Sequence, residues 1–329
     1  MTDHAPAHAV TSAPVRAGGI GRPALRQRAW LWRRYWLRDP LLGGLDYAIH
    51  HSSRLLPTDF GSALGARLGL LNGRYRYHTE RRRAERLYRR FRGESAERDV
   101  AAAVMSLFAT AGRTMLEFSV LDRLWREGRI AVSGREHLLA ARAAGRPVIV
   151  MGLHLNNWEV IGPALIGLGL SGFKFIYQPP RSRFEHHIAV AARRRYGAIM
   201  LRPGVMAARI ARRLLVEERG VLLIFADDER RGRINAPLFG RPIAPRANLP
   251  TIVRLAWASG AAVIPAYAER DPERGGARFH VKFLPPADLL PGDDEAPLSE
   301  NIHRLDAIIT PIVLDRLDQW YMLFDYRRD

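Results

Sequence analysis

Short apolar runs alternate with amphipathic segments through the second half of the chain. Runs such as PVIVMGLH and GVLLIFA are rich in β-branched and aliphatic residues, which is typical of buried strands. Such runs occur at residues 147–154, 173–178, 198–201, 220–226, 261–267 and 279–284. Helical periodicity is found at about residues 157–168, 183–196, 205–218, 250–259 and 299–317. The alternation predicts an α/β fold in which helices flank a largely parallel central sheet.

The chain before this core has a different pattern. Residues 1–23 are rich in Ala, Pro, Gly and His and predict a disordered tail. Residues 24–130 predict a helical, basic, membrane-associating region, and residues 131–329 the α/β core. No run reaches the roughly 18 to 20 unbroken apolar residues that a spanning helix needs, so the expected membrane contact is peripheral.

Three segments of the helical region carry separate predictions. In RQRAWLWRRYWLRDPLL, residues 26–42, aromatic and arginine side chains suit a headgroup layer, but an aromatic stripe packed on the core explains them equally well. Residues 43–71 predict an interfacial or buried hairpin, interrupted at Pro57 and Gly61. The basic run at 74–98 is typical of a solvated helix face, and a further helix is predicted at about 99–118.

Charge and cysteine content narrow the classes of function. The net charge is +18, and all but two of the 51 basic residues are arginine. This excess favours polyanionic partners, such as nucleic acid, anionic lipid headgroups or an acidic carrier protein. The absence of cysteine excludes disulfides, thiolate zinc sites and a cysteine nucleophile. No nucleic-acid recognition motif occurs, so nucleic acid is the least favoured of these partners.

The sharpest local signal is GLHLNNWE, residues 152–159. His154 directly follows a predicted strand, and an imidazole with an ordinary pKa of roughly 6.5 can act as a general base near neutral pH. On a continuous helix, Glu159 would point about 140° away from it. The two side chains meet only if His154 lies on the strand-to-helix turn, which the favoured N-cap types Asn156 and Asn157 indicate. The pattern predicts that Glu159 orients His154, which takes a proton from a substrate hydroxyl.

Other polar clusters have more than one interpretation. Asp227 also directly follows a predicted strand, so it shares the carboxyl edge of the sheet with His154. The acidic run 227–229 has the chemistry of a hard-cation site, but the arginines that follow it favour an ion-paired turn. The run Arg193–Arg195 predicts either an exposed helix face or a contact with phosphate or an acidic carrier protein.

Five blocks of sequence occur in a fixed order, followed by a characteristic ending. GLHLNNWE is followed by IYQPPRSR (176–183), LLIFADDE (222–229), APLFGRPIA (236–244) and AAVIPAYAER (261–270), and QWYMLFDYRR lies close to the end. In this order the blocks resemble the lysophospholipid acyltransferase superfamily, whose signature is His-x4-Asp/Glu. Within it, the branch of bacterial lipid A late acyltransferases, the lauroyl and myristoyl transferases, is the most similar. The resemblance covers roughly residues 45–329.

The resemblance implies an enzyme that joins a fatty acyl chain to a glycolipid hydroxyl at the cytoplasmic face of the inner membrane. The donor would be a thioester of acyl carrier protein or coenzyme A, with no other cofactor and no metal. His154 would be the base and Glu159 its partner. Acylation of a glycerophospholipid or another polar lipid is an alternative, and a non-catalytic binder of anionic surfaces is a second.

The resemblance also bears on substrate binding. Asp227 matches an acidic residue that is important in the branch. We predict substrate contacts from four residues: Asn157, Arg181, Asp227 and Arg246. Two departures from the family pattern concern the same regions. Gln178 stands where the family has an arginine, and Pro245, Arg246 and Asn248 replace small hydroxyl residues and a glycine.

Overall fold

The computed structural model describes residues 32–92, 97–180, 182–230, 232–271, 273–292 and 294–326. The predicted disordered tail, residues 1–23, lies outside them. Helices come first in the chain: α1 (Asp39–Ser53), α2 (Thr58–Tyr75), α3 (His78–Arg92), α4 (Glu97–Glu117) and α5 (Leu121–Leu124). A π-helical turn at Arg34–Arg38 leads into α1, and a 3-10 turn at Phe118–Val120 separates α4 from α5.

The α/β core follows directly. Its first half contains β1 (Ile130–Ser133), α6 (Arg135–Ala143), β2 (Val148–Gly152), α7 (Ile161–Gly167), β3 (Lys174–Ile176), α8 (Arg183–Arg195), β4 (Ile199–Leu201) and α9 (Val205–Val216). Its second half contains β5 (Val221–Phe225), β6 (Glu229–Arg230), β7 (Arg233–Ile234), α10 (Asn248–Ser259), β8 (Ala262–Arg270), β9 (Phe279–Phe283) and α11 (Glu295–Asp315). Short 3-10 turns lie at Trp158–Val160, Leu317–Gln319 and Tyr321–Phe324.

Seven strands form one sheet in the order β1-β9-β8-β2-β5-β3-β4. Every neighbouring pair is parallel except β8 and β9. The predicted α/β fold with a largely parallel sheet is therefore confirmed. The sequence did not predict β1, because only Ile130 of its residues is buried and no apolar run marks it. The β6–β7 hairpin, with two residues in each strand, is too short to leave a pattern.

The central strands β2 and β5 are buried along their whole length. Alternate residues point to opposite faces of the sheet. On one face, Ile149, Met151 and Ile224 join a core built with α9, α10 and α11. On the other, Val150 and Leu223 pack with α7 and its neighbours. Because burial of each such side chain is worth roughly 1.5–3 kcal/mol, the two layers fix the register and the position of the strand ends.

Helix α2 has small residues on its buried side. Gly61, Gly65, Gly69 and Gly73 repeat every four residues, and a Cβ at Gly69 would overlap the carbonyl oxygen of Phe108 in α4. The glycines thus allow a close approach of two helix backbones. The predicted interruption at Gly61 is wrong, because α2 runs through this residue. The helical structure is interrupted at residues 54–57, which include the other predicted position, Pro57.

Large apolar side chains lie on the outside of the helical region. On α2, the exposed set is Phe60, Leu68, Leu70, Leu71 and Tyr75, and on α1 it is Leu41, Leu42, Leu45 and Ile49. Trp32 and Trp36 are each 57% exposed, so they do not form an aromatic stripe packed on the core. Across the described residues, no helix combines the length and apolar character needed to span a bilayer.

Helix α1 packs on α8, with Tyr47 against Phe184, and the carboxyl group of Glu185 on α8 should make stability depend on pH. Burial, followed by the charge of Asp46, raises the pKa of Glu185 from 4.5 to about 7. The folded protein therefore binds a proton that the unfolded chain releases. The stabilising contribution is complete below pH 4.5 and is lost as the pH rises through about 7. We expect Glu185→Gln, which mimics the neutral carboxyl, to melt at a higher temperature than the wild type at pH 8.

The matched measurement is thermal unfolding of both proteins at pH 5 and pH 8, with the exposed Glu217→Gln as the control variant. From pH 5 to pH 8, the melting temperatures of the wild type and the control should fall by the same amount, and the melting temperature of Glu185→Gln should fall by less. An identical pH dependence in all three proteins would show that Glu185 titrates normally.

Candidate active site

Two strand ends bring a histidine and an aspartate together. In the parallel pair β2–β5, Gly152 lies opposite Phe225. His154 and Asp227 each follow two residues later, so the register alone sets them side by side. Nδ1 of His154 donates to Oδ1 of Asp227 over 2.9 Å. The backbone N–H of His154 donates to the other carboxylate oxygen, Oδ2, also over 2.9 Å. The sequence predicted this shared edge but did not predict the contact.

The carboxylate of Asp227 is held by three donors. It is completely buried, and its third hydrogen bond comes from Nε1 of Trp320, 2.9 Å from Oδ2. Three N–H groups supply the compensation that a buried charge requires. The imidazole that it orients is stacked on Phe225, with 4.3 Å between ring centroids. The ring is thereby fixed in position and in plane.

The opposite nitrogen of the imidazole is left for chemistry. A carboxylate only accepts hydrogen bonds, so Nδ1 carries the proton and Nε2 has the lone pair in the neutral ring. Nε2 makes no hydrogen bond to any residue that the structure describes, and the His154 side chain is 18% exposed to solvent. An accessible, oriented imidazole nitrogen is the arrangement of a general base.

Glu159 has a different partner from the one predicted. It does lie in the first turn after the loop, in the 3-10 segment Trp158–Val160, but its carboxylate points towards α8. There Arg193 forms two hydrogen bonds with it, of 3.0 and 2.6 Å. The expected His154–Glu159 pair is not formed, because Arg193 occupies the carboxylate of Glu159 and Asp227 occupies Nδ1 of His154.

Arg193 is buried rather than exposed or available to phosphate. Its guanidinium lies over the rings of Phe118, Phe175 and Tyr177, at 4.5 Å from the centroid for Tyr177. Burial lowers its pKa, but the charge and hydrogen bonds of Glu159 outweigh this effect and raise the pKa above its ordinary value. The buried guanidinium therefore remains charged, and its hydrogen bonds with Glu159 fasten the loop after β2 to α8.

Glu159 still reaches the imidazole indirectly. Its Oε1 accepts a hydrogen bond of 3.1 Å from Nε1 of Trp158. The Trp158 ring lies edge-on to His154, with 5.1 Å between centroids, and against Tyr321 at 4.9 Å. Glu159 is thus placed to position Trp158, which forms one wall of the histidine site.

Asn157 anchors the loop after β2 through its buried side chain. Its side chain is completely buried, and Nδ2 donates to Glu117 at the end of α4 over 2.9 Å. Glu117 also accepts from Ser62 and Arg270, at 2.6 and 3.0 Å. The substrate contact predicted for Asn157 stays a prediction, and no surface of the residue is accessible in this structure.

The other predicted substrate residues have separate outcomes. Arg181 lies outside the described residues. Arg246 is exposed in the loop before α10, and its contact with substrate stays a prediction. The nearby Asn248 ties this loop to the same strand end, because its Nδ2 donates to the carbonyl of Phe225 over 2.7 Å. Gln178, the departure after β3, is also exposed.

The acidic run after β5 is engaged by protein groups. Asp228 accepts from Arg230 over 2.7 Å and from the backbone N–H of Asn248 over 3.2 Å. Throughout the described ranges, no group of three or more histidine and acidic side chains is arranged to hold a metal ion. The expectation that catalysis needs no metal or cofactor stays a prediction.

A comparison with known families decides the class of this site. The profile for bacterial lipid A biosynthesis acyltransferases matches residues 33–326. The chain belongs to this family. The match spans the helical region and the α/β core together, so this lipid A acyltransferase family member is an enzyme that transfers acyl groups. No curated protein gives a match to the chain. Acyltransferase activity excludes the alternative of a purely non-catalytic binder.

The sequence did not predict the contacts of two residues in this arrangement, Asp227 and Trp320. Asp227 is predicted from sequence to contact substrate, and its position after a strand indicates the edge that it shares with His154 but not the hydrogen bond between them. Trp320 lies within the QWYMLFDYRR ending and had no assigned role. Nothing in its local pattern indicates that its indole reaches Asp227, 93 residues away.

Proposed function

We propose that this acyltransferase transfers a fatty acyl chain from an acyl thioester to a hydroxyl of a lipid A-type glycolipid. His154 acts as the general base and Asp227 orients it. The observation that carries the proposal is the hydrogen bond between Asp227 and His154 at adjacent strand ends, which leaves Nε2 accessible. The family match supplies the class of reaction, acyl transfer.

The proposed reaction is a direct transfer. Nε2 of His154 removes the hydroxyl proton as the oxygen attacks the thioester carbonyl, and the buried carboxylate of Asp227 stabilises the imidazolium. The new C–O bond forms, the C–S bond breaks, and the imidazolium returns its proton to the leaving thiolate. No cofactor or metal takes part. Because the chain contains no cysteine, a thiol nucleophile cannot form an acyl-enzyme.

The donor and acceptor are proposed from chemistry. A thioester of acyl carrier protein or coenzyme A supplies an activated acyl group. The glycolipid supplies a hydroxyl that needs a base. Arg181 is proposed as a donor to the oxyanion that develops on the thioester carbonyl, and Arg246 as a contact to an anionic substrate group. Nucleic acid is not a proposed partner.

Replacing His154 by Ala should reduce acyl transfer by about 10²–10⁴-fold, the usual contribution of a general base. Purified enzyme would be incubated with acyl thioesters and a panel of lipid A-type glycolipids and glycerophospholipids. The exposed His187→Ala on α8 is the matched control and should retain activity. Transfer by the His154 variant within a few-fold of wild type would contradict the role of the base. Transfer only to glycerophospholipids would establish the alternative acceptor.

We further propose that the outer side of α2 contacts the cytoplasmic leaflet of the inner membrane. In a helix surrounded by water, large apolar residues face inward. In α2 the order is reversed, because glycines face α4 while Phe60, Leu68, Leu71 and Tyr75 face outward. Exposed arginines on the same helix, Arg67 and Arg74, suit anionic headgroups. The exposed leucines of α1 extend the apolar character of the region.

Leu71→Asp should weaken binding to vesicles of anionic phospholipid by at least about tenfold, because burying one leucine in the bilayer is worth roughly 1.5–3 kcal/mol. The melting temperature should not change, since Leu71 is exposed in the fold. Leu139→Asp, which changes another exposed leucine on α6, is the control in the same sedimentation assay. Equal vesicle binding by both variants would show that α2 does not meet the membrane.

A further inference from the structure

A second exposed apolar surface lies at one edge of the sheet. β4 is the last strand on its side, and α9 follows it. Val205 and Met206, in the first turn of α9, are 73% and 64% exposed. Among the described residues after Tyr75, these are the most exposed large apolar side chains. Ile199 of β4 is also exposed, whereas the inner side of α9 is packed in the core.

Exposed arginines flank these apolar residues in the chain. Arg202 follows β4, and Arg209 and Arg212 lie on the outer side of α9, four and seven residues after Val205. All three are exposed, and none forms a salt bridge with a described residue, whereas Arg213 pairs with Glu217. We call this surface the β4–α9 patch: Ile199, Arg202, Val205, Met206, Arg209 and Arg212.

The part of the patch from Arg202 to Met206 lies at the same edge of the sheet as the histidine, because this segment directly follows β4. β2, β5, β3 and β4 are mutually parallel neighbours, so their carboxyl ends share one edge. His154 follows β2, and the segment from Arg202 to Met206 follows β4. Three inter-strand spacings separate the two strands, which is roughly 14 Å. An acyl chain on a flexible linker, carried by a protein docked at the patch, can bridge such a distance.

The chemistry of the patch selects a small acidic protein over a bilayer. Its apolar part is small: Ile199 on β4, with Val205 and Met206 in the first turn of α9. In contrast, α1 and α2 carry the long apolar surfaces that suit lipid. Arginines beside apolar side chains complement a protein surface with carboxylates beside apolar side chains. We propose that the β4–α9 patch docks the acidic carrier protein that delivers the acyl thioester to His154. This inference rests on the proposed function.

The test compares two donors that carry the same acyl chain, an acyl carrier protein thioester and acyl-pantetheine, which has no protein. The variant is Arg209→Glu with Arg212→Glu in the full chain. We expect KM for the carrier thioester to rise at least about tenfold, because close charge pairs across an interface become repulsive, with kcat within twofold of wild type. Transfer from acyl-pantetheine should not change. Arg82→Glu with Arg86→Glu, an equal charge change on the exposed side of α3, should leave both donors unaffected.

Each other outcome has a distinct meaning. A carrier KM within twofold of wild type would overturn the docking proposal, as would an equal loss with both donors. Loss of vesicle binding with an unchanged carrier KM would identify the patch as a membrane contact and also overturn it. If wild-type enzyme used neither thioester, the proposed function itself would fail, and the docking proposal with it.

Discussion

Replacing Asp227 by Asn is expected to lower kcat by about 10³–10⁴-fold while the protein remains folded, as in hydrolases whose buried aspartate orients a histidine. The geometry explains both parts of this result. The amide oxygen of Asn can take the place of Oδ2, which accepts from the His154 backbone and from Trp320. The amide NH₂ then faces Nδ1, which must become an acceptor. The ring proton moves to Nε2, and the base is lost.

The control for this variant is the neighbouring carboxylate. Asp228→Asn changes the same charge one residue away, but Asp228 contacts Arg230 and Asn248 rather than the imidazole. It should lose less than about tenfold in kcat, since no group that orients the base is altered. Similar kcat values for the two variants, with similar melting temperatures, would show that Asp227 does not control His154.

Glu159→Gln is expected to act mainly on stability. Removing one member of a buried ion pair leaves the other charge uncompensated, which typically costs about 3–5 kcal/mol. Here the remaining charge is the buried guanidinium of Arg193. Denaturant unfolding should therefore show a large fall in the free energy of unfolding, and activity should fall with the folded fraction.

A second substitution separates this account from a catalytic role for Glu159. The double variant Glu159→Gln, Arg193→Met removes both charges, and replacing a buried pair in this way is often neutral or stabilising. The amide oxygen of the new glutamine side chain can still accept from Nε1 of Trp158, so the wall beside His154 is retained. We expect the double variant to recover most of the stability and much of kcat. A stable double variant that remained inactive would assign Glu159 a direct part in the chemistry.

The sequence could predict the central sheet because the strands are fully buried. Apolar runs such as those of β2 and β5 have few alternatives once they end at glycine or an acidic residue. It could also place His154 and Asp227 at one edge, because parallel strands share their carboxyl ends. It could not predict which carboxylate meets the imidazole, because that depends on the register between two strands that lie far apart in the chain.

The sequence pattern also could not show which individual polar side chains are buried. Three consecutive arginines, Arg193 to Arg195, look alike in sequence, yet only the first points inward on α8 and meets Glu159. Spacing placed Glu159 correctly in the first turn but gave no direction for its carboxylate. The four-residue glycine repeat of α2 was a usable signal, since it indicates close helix packing rather than interruption.

The most direct test of the central claim is the protonation of the His154 ring. ¹⁵N NMR of histidine-labelled enzyme, with the signals of His154 assigned by their loss in His154→Gln, reports which nitrogen carries the proton. We expect a protonated Nδ1 and an unprotonated Nε2 in the neutral ring of the wild type, and the reverse in Asp227→Asn. A wild-type ring protonated at Nε2, or a ring that does not respond to Asp227→Asn, would contradict the central claim.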